Sequence, residues 1–382
     1  MRLLAIAFAG LALAVGQPAR AQMLDPATAQ KIDAVFADRS GLDGPGYAVG
    51  VVRDGRVLYA RGYGAANLDD DVAITPDTAF HLASLSKQFT ASALAVLIED
   101  GKVSLTDPVG KYIPQAKRYG PGLQVRHLVY MTSGLVDYTD VKRPSGEPWF
   151  SDDYFDIDDA VRASLSRPLA FRPGTQWAYR NINFMLIAKI VEKVSGQSLH
   201  DFLRAQFFAP LGMNATLVDD DATEIIPHRA VGYAPRSAQI VGELHKVGIK
   251  ARSDGAWVRL NRVSPHYGGS GVFSTIDDLA RWQDNFDHQK AGGAGYVGLM
   301  YRTERFSHDK VNDAFGLVWR DYNGLKMLDY AGEDLDANTY MAHFQANHIG
   351  IICLSNMLSG DCEGRAHKVM DILLQAGVLG SP

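Results

Sequence analysis

The chain has 382 residues, of which 47% are hydrophobic and 21% charged, a balance that suits a packed globular protein. A net charge of −5 supplies no basic footprint for nucleic acid. No internal repeat of roughly 20–50 residues and no low-complexity tract is present, which excludes solenoids and biased linkers.

Residues 1–21 read as a secretory signal. Arg2 supplies the positive n-region, 3–15 an apolar h-region, and Ala19-Arg20-Ala21 a small-x-small cleavage site before Gln22. That apolar run, about 13 residues, is too short to span a bilayer, and no later stretch is long and apolar enough to do so. The expectation is an exported protein, periplasmic or secreted, with no membrane span after cleavage. A helix is expected over 27–39, followed by a hairpin of strands 47–53 and 57–63 joined at Asp54-Gly55, a favoured turn.

The chain then reaches His81-Leu82-Ala83-Ser84-Leu85-Ser86-Lys87-Gln88-Phe89-Thr90, which runs into a helix-forming segment at 91–99 closed by Asp100-Gly101. If Ser84 opens that helix, Ser84 and Lys87 sit one turn apart on one face. The serine oxygen then lies at the helix N-terminus, where free backbone N–H groups point outward. A serine hydroxyl needs a neighbouring base to act as a nucleophile, and a lysine is that base only where its surroundings favour the neutral amine. The same residues would also serve as an N-cap and a solvated lysine. A second Ser-x-x-Lys spacing, Ser307-His308-Asp309-Lys310, has no apolar helical run behind it and reads as a surface loop.

From about 88 to 215 the pattern is mostly helical, with helices expected over 158–166, 183–194 and 199–207. Within that region, Arg172-Pro173-Gly174-Thr175-Gln176-Trp177-Ala178-Tyr179-Arg180-Asn181 makes a Pro-Gly turn and then presents Tyr179 and Asn181 at spacing two. A tyrosine facing a lysine can shuttle a proton, and an asparagine amide can bond both a lysine and a substrate carbonyl. A buried aromatic followed by a turn asparagine would read the same way. The region 217–265 is ambiguous and loop-rich. Strands are expected over 315–320 and 325–329 around Asn323-Gly324, then over 339–344 and 349–354, and a last helix over 364–377. Cys353 falls in an apolar strand and Cys362 opens the last helix; spacing does not decide between two free thiols and a bridge.

Strands at both ends with helices between them predict an α+β fold. One antiparallel sheet is assembled from N- and C-terminal strands and flanked by helices, and a mostly helical subdomain (roughly 88–215) is inserted beside it, all within a domain spanning 22–382. A cleft is expected where insertion and sheet meet.

The pair Ser84-x-x-Lys87 and Tyr179-x-Asn181 resembles the penicillin-recognising serine hydrolases: class C β-lactamases, DD-peptidases, D-aminopeptidases and β-lactamase-like esterases. The flanking Val125-Arg126-His127-Leu128, Thr132-Ser133-Gly134-Leu135, Pro210-Leu211-Gly212-Met213 and Ser274-Thr275-Ile276-Asp277-Asp278-Leu279-Ala280-Arg281-Trp282 extend the likeness over nearly all of the chain after residue 21. The resemblance implies a β-lactamase/transpeptidase-like fold. It also implies a mechanism in which Ser84 forms an acyl-enzyme, Lys87 and Tyr179 share the base and acid roles, and Asn181 orients Lys87 and the substrate. The Ser84 N–H and one from an edge strand would form the oxyanion hole. No metal and no cofactor is implied; His81 and His127 lack a metal-ligand pattern and read as structural.

The third family motif is where the chain departs. Relatives carry Lys-Thr-Gly, His-x-Gly or Trp-x-Gly, and the best positional match here is Tyr330-Ala331-Gly332; His348-Ile349-Gly350 and Lys290-Ala291-Gly292 fall in a turn and a glycine-rich loop. Tyr330, Gly332 and Glu333 are thereby the substrate-binding candidates beside Asn181. Loss of the cation removes the usual partner of a substrate carboxylate. Glu333, Asp334 and Asp336 follow the motif and are expected to line the cleft floor, which disfavours carboxylate-bearing ligands. The expected function is an exported serine hydrolase acting on a small-molecule ester or amide, cell-wall-derived ones included. An esterase or D-aminoacyl amidase/peptidase fits better than a true β-lactamase. The alternatives are a non-catalytic binding protein of the same fold, and a β-lactamase or DD-carboxypeptidase with a degenerate third motif.

Overall fold

The computed structural model describes residues 23–141, 156–246, 248–260, 267–304 and 314–380. The expected signal at 1–21 and the second Ser-x-x-Lys spacing at 307–310 lie outside the described residues. Six antiparallel strands form the main sheet: β1 (Tyr47–Arg53), β2 (Arg56–Tyr63), β3 (Val318–Tyr322), β4 (Leu325–Asp334), β5 (Ala337–Phe344) and β6 (Ile349–Ser355). Their order is β3-β4-β5-β6-β1-β2, so the N-terminal hairpin joins the C-terminal strands through the β1–β6 pair. The expectation of one sheet built from both ends of the chain is met.

Both faces of the sheet are covered. Along β1, Val49 and Val51 enter one apolar cluster with helices α1 (Pro26–Val35) and α6 (Cys362–Gln375), while Ala48 and Val52 enter the other. β6 divides in the same way, with Ile351 and Cys353 on one side and Ile352 and Leu354 on the other. A strand apolar at every position, not at alternate ones, is what burial on both faces requires. On the second face lies α5 (Ile276–His288), whose Ile276 approaches β1 so closely that a Cβ on Gly50 would meet its Cγ2 at 2.6 Å. Cys353 and Cys362 are free, and their buried sulfurs lie 2.9 Å apart.

Helix α2 (Lys87–Glu99) runs through the larger core and is buried from Lys87 to Leu97. Its polar residues are satisfied there: Gln88 accepts from Trp282 Nε1 at 2.7 Å and Thr90 donates to the Gly268 carbonyl at 2.8 Å. Helix α3 (Asn181–Ser195) packs across α2, ends at Gly196 in the left-handed conformation, and carries the insertion's apolar face. The expected helix at 158–166 is found as Ile157–Leu165, capped by Asp156. That at 199–207 is interrupted: Leu199–Leu203 is α-helical and Arg204–Phe208 a π-helical turn.

Two expectations are corrected. The ambiguous region 217–265 contains a helix, α4 (Ala238–Lys246), and a small two-stranded sheet of Tyr233–Pro235 with Trp257–Arg259. The strand expected over 325–329 continues to Asp334, because β5 offers partners as far as Ala337 opposite Asp334. β3 pairs only with residues 325–329 of β4, so the second half of β4 projects past its neighbour toward the Ser84 turn.

Candidate active site

Ser84 does not open the α-helix as expected. It sits in a 3-10 turn, Ala83–Ser86, immediately before α2, and Ala83 adopts a positive φ of 49°. A non-glycine residue there is strained and needs surrounding structure to hold it. That structure is visible: Leu82 N–H donates to Val272 O at 2.8 Å, Val272 N–H donates to Ser86 Oγ at 3.0 Å, and Thr339 Oγ1 donates to Leu82 O at 2.8 Å. The turn is thereby fixed between strand Val272–Ser274 on one side and β4–β5 on the other.

Lys87 begins α2 one turn on and is fully buried. Its ammonium nitrogen donates to Ser84 Oγ at 3.0 Å, Asn181 Oδ1 at 2.9 Å and the Gly269 carbonyl at 2.6 Å. Three N–H groups meet three uncharged acceptors, the geometry that satisfies a protonated amine. The Tyr179 oxygen lies 2.6 Å from Ser84 Oγ, and Lys87 Nζ lies 4.8 Å from the centre of the tyrosine ring. Ser84 Oγ accepts from Lys87, and either hydroxyl of the Ser84–Tyr179 pair can donate to the other. The pair Ser84 and Lys87 and the pair Tyr179 and Asn181, which are far apart in sequence, meet through hydrogen bonds.

Gly332 closes the other side. A Cβ added there would stand 2.5 Å from Leu82 O and 3.0 Å from Ser84 N, so only glycine allows β4 to approach the serine backbone this closely. The Tyr330-Ala331-Gly332 segment therefore lies against the Ser84 turn and lines the space in front of it. The two decoys do not reach Ser84: His348 ends the turn between β5 and β6, and Lys290 pairs with Asp284.

A cleft of about 920 Å³ opens in front of Ser84, between Trp177 and Tyr179 on one wall and Trp319, Tyr330 and Gly332 on the other. A smaller cavity of about 270 Å³ lies beside it, lined by Asn181, Ser270, Glu333 and Asp334, and Ser84 and Glu333 border both. Of the three acids expected on the cleft floor, Glu333 and Asp334 are there, but Asp336 is not. It is buried and paired with His81 Nδ1 at 2.7 Å, because the turn after β4 carries it under the sheet edge. His81 also reaches Ser270 Oγ at 2.9 Å, so its role is to fix the loop beside the cavity. Arg320 lines the larger cleft as a cation missed in the sequence; it is paired at 2.7 Å with buried Asp329.

Sequence reading also missed Asp137 and the Gly268-Gly269 pair. Asp137 Oδ2 accepts the Asn181 backbone N–H at 2.5 Å, which anchors the start of α3. Burial raises the Asp137 carboxyl above its ordinary range, against the opposing hydrogen bond from Asn181 and the charge of Lys87. Gly268 has φ +90°, and a Cβ on it would meet Phe184 O at 2.7 Å, so the Lys87 acceptor on Gly269 depends on a glycine backbone lying against α3. The glycine run was the available signal. Nothing local marked Asp137.

His127 is structural, as expected. It is buried, its Nδ1 accepts the Gln124 N–H at 3.1 Å, and it packs under the Gly174 turn. Burial, with the Arg126 charge beside it, pushes its imidazole down from 6.5 to about 4.

A serine held between a buried ammonium and a phenol, ahead of a core helix and against a strand of a two-ended antiparallel sheet, is the layout of a β-lactamase/transpeptidase-like protein. Solved structures share the fold. An octameric penicillin-binding protein homologue from Pyrococcus abyssi superposes with a TM-score of 0.76 at 23% identity, covering 92% of this chain and 78% of that one. D-amino acid amidase from Ochrobactrum anthropi SV3, in complex with D-phenylalanine, does so at 0.75 and 20%, covering 91% and 99%. The chain belongs to the Beta-lactamase family, whose profile matches residues 32–374. A D-aminopeptidase of Gluconobacter oxydans (strain 621H) is 28% identical over 362 residues, or 94% of this chain, which spans 64% of that relative's length. Among the described residues, no helix is long and apolar enough to cross a membrane.

Proposed function

We propose that this protein is a serine hydrolase that forms an acyl-enzyme on Ser84 and cleaves esters or amides of D-amino acids bearing a free amino group. The observation that carries the reading is the Ser84 oxygen, set 2.6 Å from the Tyr179 oxygen and 3.0 Å from Lys87 Nζ at the floor of an open cleft. In this mechanism Tyr179, in its phenolate form, takes the Ser84 proton as Oγ bonds to the substrate carbonyl carbon. The adjacent Lys87 cation offsets the phenolate charge. Tyr179 then returns the proton to the departing amine or alcohol, and a water molecule reverses the sequence to release the acid. The Ser84 N–H and an N–H of β4 beside Gly332 would hold the oxyanion.

Substrate choice follows from charge. The smaller cavity carries Glu333 and Asp334 beside Asn181, a setting that favours an ammonium and disfavours a carboxylate. Tyr330 stands where relatives place a cationic or hydrogen-bonding group, so the carboxylate of a β-lactam meets no dedicated partner on β4. The likeness to a D-aminopeptidase and a D-amino acid amidase supports the same substrate class. Export is part of the proposal and rests on the residue 1–21 pattern; N-terminal sequencing of protein from the periplasm or medium should begin at Gln22.

The test is a fluorophosphonate probe read by intact mass, with a panel of a D-amino amide, its N-acetylated form, a neutral aryl ester and a chromogenic cephalosporin. One label per chain is expected, with the amide and ester turned over and the N-acetylated amide slower. Glu333→Gln should narrow the preference for the free amine by roughly two- to fivefold, the scale of a partly exposed ion pair. Tyr330→Lys should shift preference toward carboxylate-bearing substrates. Efficient cephalosporin turnover with esters and amides inert would overturn the assignment.

A further inference from the structure

At the end of the sheet opposite Gly332, a second polar cluster takes no part in the Ser84 chemistry. The β1–β2 turn supplies Asp54, the C-terminal end of α5 supplies Asp287 and His288, and the turn after β5 supplies His348. The turns abut: Asp54 N–H donates to His348 O at 3.2 Å, and a Cβ on Gly55 would stand 2.7 Å from Asp284 Cγ. Both Asp54 and His348 hold left-handed backbone, at φ 49° and 52°.

Ligand-type atoms of Asp54, His288 and His348 all lie within 4.8 Å of one another. Asp287 stands beside this group: its Oδ2 is 3.1 Å from His348 Nδ1, which is also 3.8 Å from Asp54 Oδ1. Zinc bonded at about 2.0–2.1 Å to nitrogen and oxygen in a tetrahedron sets its ligands about 3.3 Å apart, a small movement from the 3.8 Å edge between His348 and Asp54.

Two further observations point to a cation. His348 Nδ1 is buried and makes no hydrogen bond, although two carboxylates face it. His288 gives its Nδ1 to Asp284 Oδ1 at 2.8 Å, which leaves Nε2 as the ligand nitrogen, and His343 Nε2 holds the other Asp287 oxygen at 3.0 Å. A carboxylate behind a metal-bound histidine is the support that orients such a ligand, and the His343 contact holds Asp287 beside His348. Lys290, which also reaches Asp284, leaves Asp54 for the ion.

We propose that Asp54, His288 and His348 form a site for a borderline divalent ion, zinc by its two imidazoles and one carboxylate, with a water molecule as the fourth ligand. The ion would tie the N-terminal hairpin to α5 and to the C-terminal half of the sheet. It stands seven residues along β5 from the catalytic end, roughly 20 Å, so it supplies nothing to the hydrolysis.

The test uses the full chain, free of any affinity tag, stripped with EDTA and titrated with zinc chloride by calorimetry and by elemental analysis after dialysis. One equivalent per chain should be retained, and zinc at about a hundredfold over its dissociation constant should raise the unfolding temperature by roughly 3–5 °C. Asp54→Asn and His348→Gln should each abolish retention, and Asp284→Asn should weaken it by about ten- to a hundredfold. Probe labelling of Ser84 should be unchanged in all three. No retained zinc would overturn the site. So would one equivalent kept by both ligand variants, which would place the ion elsewhere, as at His81, Asp334 and Asp336.

Discussion

The two walls of the cleft are built differently. On one, Ser84 lies in the 3-10 turn that leads into α2, Lys87 is the buried first residue of that helix, and Gly332 presses on the same turn from β4. On the other, Trp177 and Tyr179 lie on a connection without regular structure, and each is 37% exposed. That connection is held by a few polar contacts: Gly174 N–H to Thr132 O at 2.8 Å, Ala178 N–H to Met131 O at 2.9 Å, and Asn181 N–H to Asp137. Ser84, the nucleophile of the proposed mechanism, is thus fixed by the core, whereas Tyr179, its proposed proton acceptor, is fixed by a short set of hydrogen bonds. Damage to the first wall should cost stability along with activity. Damage to the second should cost mainly activity.

The sharpest probe of that difference keeps the core intact. Ser84→Ala should abolish fluorophosphonate labelling and hydrolysis with the unfolding midpoint unchanged, because only one oxygen is lost. Labelling that persists, or that maps to Ser307, would break the assignment.

Next in size are two variants that should separate the walls. Tyr179→Phe and Lys87→Ala should each lower turnover by roughly two or more orders of magnitude. Lys87→Ala should also destabilise the fold by about 1–3 kcal/mol, since it leaves the buried Gly269 and Asn181 acceptors unpaired. Tyr179→Phe should stay within about 0.5 kcal/mol. Equal losses of stability, read by urea unfolding, would erase the comparison.

A smaller effect is expected from the contact that anchors the second wall. Asp137→Ala should lower kcat by about tenfold or more through displacement of Asn181 and Tyr179. Asp137→Asn, which keeps an acceptor for the Asn181 N–H, should recover most of that loss. If both variants behave alike, the carboxylate charge and not the anchor is what matters.

The smallest effect is one of pH. The folded chain resists protonating His127 until about pH 4, whereas an unfolded histidine titrates near 6.5. Between those values the unfolded state binds the extra proton, so stability is retained above about 6.5 and declines as pH falls toward 4. From pH 7 to pH 5 the unmodified protein should lose about 1–2 kcal/mol more than His127→Gln. Equal urea midpoint shifts in the two proteins would show that His127 does not support the second wall in this way.

Much of this protein was legible along the chain because it depends on local pattern. Unbroken apolar runs marked the doubly covered strands β1 and β6, Asp54-Gly55 and Asn323-Gly324 marked the hairpins, and the apolar stretch after Lys87 marked a helix. Ser84, Lys87, Tyr179 and Asn181 stood out because each pair sits at short, regular spacing and their order resembled a known family. Gly332 stood out by position alone, and its reason appeared only when β4 was seen to lie against Leu82 and Ser84.

What tertiary structure decided is whatever depends on partners distant in sequence. The 3-10 turn at Ser84 is imposed by Val272 and Thr339, which no local propensity could reveal. Asp137 and the Gly269 carbonyl serve Asn181 and Lys87 across long separations, and a lone aspartate or a glycine carries no sign of its future neighbour. Asp336 reads like Glu333 and Asp334 in the chain, yet the turn after β4 sends it inward to His81, because a buried imidazole needed a partner there. Periodicity records which side of an element is buried; it does not record which polar atoms will meet once those elements pack.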